Sequence, residues 1–243
     1  MVKEQFRIYS KLNVFKKRLD KSKMIINKWL SMCKNPYIAF SAGKDSTCVL
    51  NLVREQNKNV IAVYFDADCA FPEASELIAK TENVIKFKTT ESFLDILKRT
   101  EHLSDNEIDK ETMRITVHAP IKKLITEFKF DACAYGLRAE ESKARKMNFK
   151  TKGNIFKNKK GTIMCQPIAH WTYYDVWGYI FSENIDYCGT YDRMWNMPER
   201  EQRISYWAGE SNRNFGRWAW LKKNYPELFN KLNSQVYYAS SYI

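Results

Sequence analysis

The chain has 243 residues, 44% of them hydrophobic, enough for a sizeable core in one large domain or a domain with an appendage. No run of about 18 apolar residues occurs, which argues against a transmembrane helix, and the opening MVKEQFRIYSKLNVFKKRLD lacks an apolar signal core, so a cytoplasmic location and no membrane partner are expected. A net charge of +12, from 40 basic and 28 acidic residues, fits polyanionic partners such as nucleotides, RNA or DNA, and equally a solvated lysine-rich surface.

The first predicted element is helical, over residues 5–34. There Phe6, Tyr9, Leu12, Phe15, Leu19, Ile26, Trp29, Leu30 and Cys33 recur at helical spacing. Lys11, Lys16, Lys17, Arg18, Lys21 and Lys23 form a basic face, read as solvated. Asn35-Pro36 ends this element. Tyr37, Ile38, Ala39 and Phe40 form an apolar strand, and Ser41, Ala42, Gly43, Lys44, Asp45, Ser46 and Thr47 a loop. Cys48, Val49, Leu50, Leu52 and Val53 then begin a helix.

This strand–loop–helix unit suits an anion, because a helix's first turn carries unpartnered N–H groups and partial positive charge. Ser41, Ser46 and Thr47 add hydroxyl donors, Gly43 allows close backbone approach, and Lys44 brings a mobile point charge. A Walker A loop is absent. A small-residue turn is the plainer reading of the same residues, with Asp45 as helix cap.

Further strands are predicted at 60–65 (VIAVYF), 84–87, 130–135 (FDACAY) and 162–167, alternating with helices at 72–81, 91–99, 119–128 and 139–147. His118 is read as marking the start of the 119–128 helix, and residues 100–115 carry no clear pattern. Apolar strands without a period of two indicate a parallel sheet with helices on both faces. Ligands of such sheets lie beyond the carboxyl ends of the strands. Three polar clusters stand there: 41–47, 66–68 and 136–145.

After residue 170 the composition shifts, with six of the seven tryptophans beyond it. Helices are predicted at 175–181 and 215–232, as an aromatic-rich helical C-terminal cap. The predicted organisation is an N-terminal helical segment 1–35, an α/β core 36–170 and the cap 171–243. Arg193, Arg200, Arg203, Arg213 and Arg217 make the cap basic.

Six cysteines (33, 48, 69, 133, 165 and 188) include no CxxC, and the three histidines have no metal spacing. The cysteines read as small apolar residues. The stretch 143–160 holds eight basic residues (Lys143, Arg145, Lys146, Lys150, Lys152, Lys157, Lys159 and Lys160) and no acid. It fits a clamp for a nucleic-acid or protein acceptor and equally an exposed hairpin.

Four segments carry a family resemblance. SAGKDS, at 41–46, resembles the SGGKDS loop of the PP-loop superfamily, the N-type ATP pyrophosphatases and phosphoadenosine phosphosulfate (PAPS) reductases. Ala42 stands where that pattern has a second glycine, which argues against a positive φ there. GLRAEESKAR, from Gly136 to Arg145, resembles the family's GxRxxES..R segment. FDADCAFPE, at 65–73, is similar to DTG..FPE, with Ala67 and Asp68 in place of threonine and glycine. PIAHWTYYDVWGYI, at 167–180, is similar to P…W…DVW.YI.

The resemblance implies the adenine nucleotide alpha-hydrolase fold, with five parallel strands in the order 3-2-1-4-5. It implies ATP or PAPS as ligand and Mg²⁺ as accompanying ion, with Asp45 or Asp66 as metal ligand. Ser41, Ala42, Gly43, Lys44, Asp45, Ser46, Thr47, Asp66, Gly136, Arg138, Ser142 and Arg145 would bind the nucleotide, with Lys44, Asp45 and Arg138 catalytic. Glu141 is expected to hold Arg138 or Arg145.

The thioredoxin-dependent reductases use a cysteine in a C-terminal Glu-Cys-Gly-Leu-His motif, and no cysteine follows Cys188 here. The expected reaction is therefore attack at the ATP α-phosphate, adenylylating an acceptor with pyrophosphate release, with sulfur transfer as a following step. A PAPS-dependent oxidoreductase is the alternative. A nucleic-acid-associated or regulatory protein without turnover is a third reading, of another class.

Overall fold

The structure, a computed structural model, describes residues 2–100, 105–204 and 217–235. Its centre is a sheet of six strands in the order β3-β2-β1-β4-β6-β5. These are β1 Pro36–Ala39, β2 Ile61–Asp66, β3 Val84–Lys88, β4 Ala132–Tyr135, β5 Ile155–Lys157 and β6 Ile163–Cys165. β1 pairs in parallel with β2 and β4, and β4 with β6, so the expected parallel core is present. The sheet has one strand more than expected. β5 runs antiparallel along β6, Phe156 opposite Met164, and occupies an edge of the sheet. A three-residue strand inside a lysine-rich stretch leaves almost no apolar signal, which is why the sequence pattern showed only a hairpin.

The chain divides into two compact units, 1–64 with 73–85 and 125–188, and 65–72 with 86–124 and 189–243. In the first, α1 (Val2–Ser10) and α2 (Asn13–Leu30) replace the single helix expected over 5–34. Leu12 takes an extended conformation, φ −72 and ψ 145, and breaks the run. α1 thereby folds onto α9 (Tyr173–Ser182), with Phe6 among Tyr173, Trp177 and Phe181. α2 lies against β6, where the Trp29 indole donates to the Ile163 carbonyl at 3.2 Å.

α3 (Lys44–Arg54) buries eight of its residues, including the polar Lys44, Ser46 and Thr47 of its first turn. A helix enclosed nearly all round belongs in the core, and α3 packs against α2, α9, β1 and β4. After β4 the chain makes a short 3₁₀ turn at Ala139–Glu141, and then α8 (Lys143–Lys152) starts from Ser142. One continuous helix was expected over 139–147.

In the second unit lie α4's first residue Pro72, α5 (Phe93–Arg99), α6 (Asp105–Met113) and the start of α7 (Ala119–Phe128). Helix α4 spans Pro72–Lys80. α7 begins at Ala119, directly after His118 as expected, but a π-helical turn, Arg114–His118, runs straight into it. Pro120 has no N–H to give the preceding turn, and the wider turn accommodates that loss. Helices Arg217–Asn224 and Pro226–Asn233 follow, separated at Tyr225 because Pro226 cannot continue a helix. Tyr225 sits among Phe71, Trp220 and the Arg193 guanidinium. Residues 215–216 of that prediction, with Arg213 and His102, lie outside the described residues.

Gly136, just past β4, lies directly against the backbone of α3's first turn. A Cβ there would stand 2.6 Å from the Asp45 carbonyl carbon and 2.8 Å from the Ser46 nitrogen, both backbone atoms. Backbone cannot swing aside as a side-chain tip can. Gly136→Ala should therefore push β4 from α3 and cost about 1–3 kcal/mol of overpacking, read as a lowered midpoint in urea denaturation; an unchanged midpoint would contradict this geometry.

Candidate functional site

The site starts at the carboxyl end of β1. The chain turns into α3 through Ala42, whose φ is +58. A left-handed conformation costs an alanine about 1–2 kcal/mol, so the positive φ corrects the expectation from sequence. The Ala42 methyl is fully enclosed, which holds the residue in place by packing rather than by intrinsic preference. The Ser46 hydroxyl accepts the Ser41 N–H at 3.2 Å and donates to the Gly43 carbonyl at 2.9 Å, while the Ser41 hydroxyl lies 3.2 Å from it. Gly43 is the N-cap of α3 and receives no side-chain cap, so Asp45 does not cap this helix. Ser46 thus shapes the loop. Thr47 differs: its hydroxyl oxygen is buried without a hydrogen-bond partner, a condition that costs about 1–3 kcal/mol.

Asp45 ties the two sequence motifs together. Its Oδ2 accepts from Lys44 Nζ at 3.0 Å, and its Oδ1 pairs with Arg138 Nε. Lys44 and Arg138 are 3% and 4% exposed, so Lys44 is an enclosed cation rather than the mobile charge expected. Arg138 Nη1 also pairs with Glu140, and Glu140 Oε1 accepts the Tyr173 backbone N–H at 2.5 Å. Glu141 Oε2 accepts the Arg138 backbone N–H at 3.1 Å and pairs with Arg145. Glu141 therefore serves both arginines. Ser142 Oγ accepts the Arg145 N–H at 3.1 Å and caps α8.

Three cations (Lys44, Arg138, Arg145) and three carboxylates (Asp45, Glu140, Glu141) make one network of balanced charge. Burial pushes the Asp45 carboxyl up, but Lys44 and Arg138 outweigh it and hold it at about 2, below the ordinary 3.8. For Arg138, burial works downward and is overcome by Asp45, Glu141 and Glu140, which raise the guanidinium above its ordinary value. Both groups stay ionised at neutral pH.

Asp66 ends β2, and its Oδ1 accepts the Asp68 N–H at 3.0 Å. Both aspartates belong to the second compact unit. Each Asp45 oxygen already faces a cation, and among the described residues no group of three or more His, Cys, Asp or Glu is placed to hold a metal.

Two contributors escaped the sequence motifs. The GxRxxES..R pattern points to Glu141, but Glu140, two residues beyond the buried Arg138, is the carboxylate that pairs with its Nη1. Arg18, read as part of a solvated face, reaches Asp175 Oδ2 at 2.7 Å. Asp175, wholly buried, also accepts the Tyr9 hydroxyl at 2.9 Å and forms a reciprocal capping box with Thr172 at the start of α9. Arg18 and Tyr9 thereby fix the helix whose first N–H, at Tyr173, meets Glu140. Only contacts distant in sequence reveal this.

Residues 35–206 match the family described as phosphoadenosine phosphosulfate reductase domain. An uncharacterized protein of Methanocaldococcus jannaschii is 28% identical over 87% of this chain, which spans 51% of that protein, about half its length. The adenosine 5'-phosphosulfate reductase of Oceanobacillus iheyensis is 28% identical over 76% of this chain and 78% of its own. Sulfate adenylyltransferase subunit 2 of Acinetobacter baumannii is 25% identical over 74% and 67%. The fold is similar to that of phosphoadenylyl-sulfate (PAPS) reductase from Candida auris, with a TM-score of 0.56, 18% identity and coverage of 71% of this chain and 84% of that one.

The Asp45 pair sets an acid limit. Its folded value lies below its unfolded one, so its contribution is complete above pH ~4 and is lost as the pH falls through about 2. Asp45→Asn should remove that acid-side slope. At neutral pH it should cost about 3–5 kcal/mol, because two enclosed cations lose their counter-charge. Urea denaturation from pH 2 to 7 checks both, and a wild-type-like acid slope in the variant would refute the assignment.

Proposed function

The chain belongs to the phosphoadenosine phosphosulfate reductase domain family, and from that premise we propose that it binds an adenine nucleotide and acts at the α-phosphate of ATP, adenylylating an acceptor with release of pyrophosphate. The observation that carries this reading is the meeting of Lys44 and Arg138, from separate strand–helix connections, on the one Asp45 carboxylate at the start of α3.

The chemistry follows from charge. An acceptor nucleophile attacks the α-phosphorus, the bond to the bridging oxygen breaks, and pyrophosphate leaves with the electron pair. Negative charge accumulates on the departing group, and preorganised cations and helix N–H groups are what stabilise it. The first turn of α3 supplies N–H groups directed out of the helix end. Phosphate oxygens would compete with Asp45, Glu140 and Glu141 for Lys44, Arg138 and Arg145. The Thr47 hydroxyl would gain the acceptor that it lacks. Positioning and electrostatics then carry the reaction, and the carboxylates keep the cations in place between turnovers.

A PAPS-dependent reductase is the second reading, favoured by the family's name and by the Oceanobacillus relative. The thiols of this chain weigh against it. A thiolate is the attacking form, and burial pushes Cys33 up to about 11 and both Cys69 and Cys133 up to about 12. Cys48 and Cys165 are raised likewise, and Cys188 is buried.

Incubation with Mg·ATP and candidate acceptors, sulfate among them, should yield pyrophosphate. Lys44→Ala should slow it by about 10²-fold or more, with circular dichroism confirming the fold. Release of orthophosphate alone would overturn chemistry at the α-phosphate. Sulfite from PAPS and reduced thioredoxin would move the protein to the reductase reading. Tight nucleotide binding with neither product would leave a binding protein without turnover.

A further inference from the structure

Helix α8 is unlike the other helices of the first unit. None of its residues is buried, and Met147 is 65% exposed. A helix without an apolar face normally relies on charge pairs along its surface. α8 holds no acid at all, and Lys146 and Lys150 stand one turn apart as like charges. It is anchored at its ends: Ser142 caps it and Arg145 pairs with Glu141, while Gly153 closes it at φ +71. The Gly153 carbonyl accepts the Gln166 amide at 2.6 Å, and Lys152 Nζ lies over the Phe156 ring at 5.0 Å, joining α8 to the β5–β6 hairpin. The hairpin adds exposed Lys157 on the edge strand and exposed Lys159 and Lys160 in its turn.

We propose that α8 and the β5–β6 hairpin form a binding face for a nucleic-acid backbone. Lys143 and Lys150 are separated by about 10 Å along the helix, and the hairpin carries the charge further. Positive charge spread over a helix, an edge strand and a turn matches a row of phosphates, not one phosphate in a pocket. Half-buried Phe149 and Phe156 lie among the lysines, aromatic rings of the kind on which unstacked bases stack, although Lys152 Nζ already lies over one face of Phe156. A lysine on an edge strand also discourages sheet-to-sheet pairing, which accounts for Lys157 but not for α8. The proposal goes beyond the reading of the nucleotide site and stands without it, since the lysines it rests on lie outside that network, which reaches α8 only through Arg145, and it is tested with no nucleotide present.

The test is fluorescence anisotropy of labelled single-stranded RNA, single-stranded DNA and duplex DNA, each about 20 nucleotides or base pairs long, titrated across salt. Binding should weaken log-linearly with salt. The triple variant Lys146→Ala/Lys150→Ala/Lys157→Ala should bind at least tenfold more weakly, with a slope on single strands reduced by about 2. Lys11→Ala/Lys16→Ala/Lys17→Ala, an equal loss of charge on exposed residues of another part of the unit, should bind as wild type. Preference for RNA or for DNA names the source of the backbone, and either upholds the proposal. A flat salt response, equal weakening by both triple variants, or polyglutamate competing as well as nucleic acid would overturn it.

Discussion

One carboxylate, that of Asp45, organises the candidate site. It lies between the neighbouring Lys44 and Arg138, the latter delivered from a connection 93 residues beyond Asp45. The arrangement is possible only because Gly136 lets β4 run against the backbone of α3's first turn. Any side chain at 136 would separate the two motifs. A buried ion pair adds little net stability once desolvation is counted, but it penalises every arrangement that leaves a charge unpaired. Its contribution here is to position the two cations.

From that pair the network extends in both directions. Arg138 passes through Glu140 to the Tyr173 N–H at the start of α9. α9 is fixed in turn by the capping box of Thr172 and Asp175, with Arg18 and Tyr9 supplying the remaining partners of the buried Asp175. The N-terminal helices therefore do more than cover the sheet. They complete the hydrogen bonding of a carboxylate that would otherwise be buried with an uncompensated charge.

Balanced charge also bears on ligand choice. With three cations matched by three carboxylates, the site presents no large excess of positive charge, and an anion has to displace internal partners to be held. The chain's surplus charge lies elsewhere, and its longest acid-free stretch, 142–174, includes α8 and the hairpin, whose lysines are outside this exchange.

The sequence was enough for local matters. Apolar runs located the strands of the parallel core, Pro36 and Pro72 marked element boundaries, and the residues at 41–47 and 136–145 identified the loops that face one another, because these signals rest on backbone preference and periodicity within a few residues. Tertiary structure alone decided the rest. Ala42 adopts a positive φ that its own chemistry disfavours, Glu140 rather than Glu141 alone engages the Arg138 side chain, and Arg18 pairs with an aspartate 157 residues away. Each of those outcomes depends on which groups are brought out of water together, and no pattern along the chain carries that information, since burial and charge pairing are set only when distant segments meet.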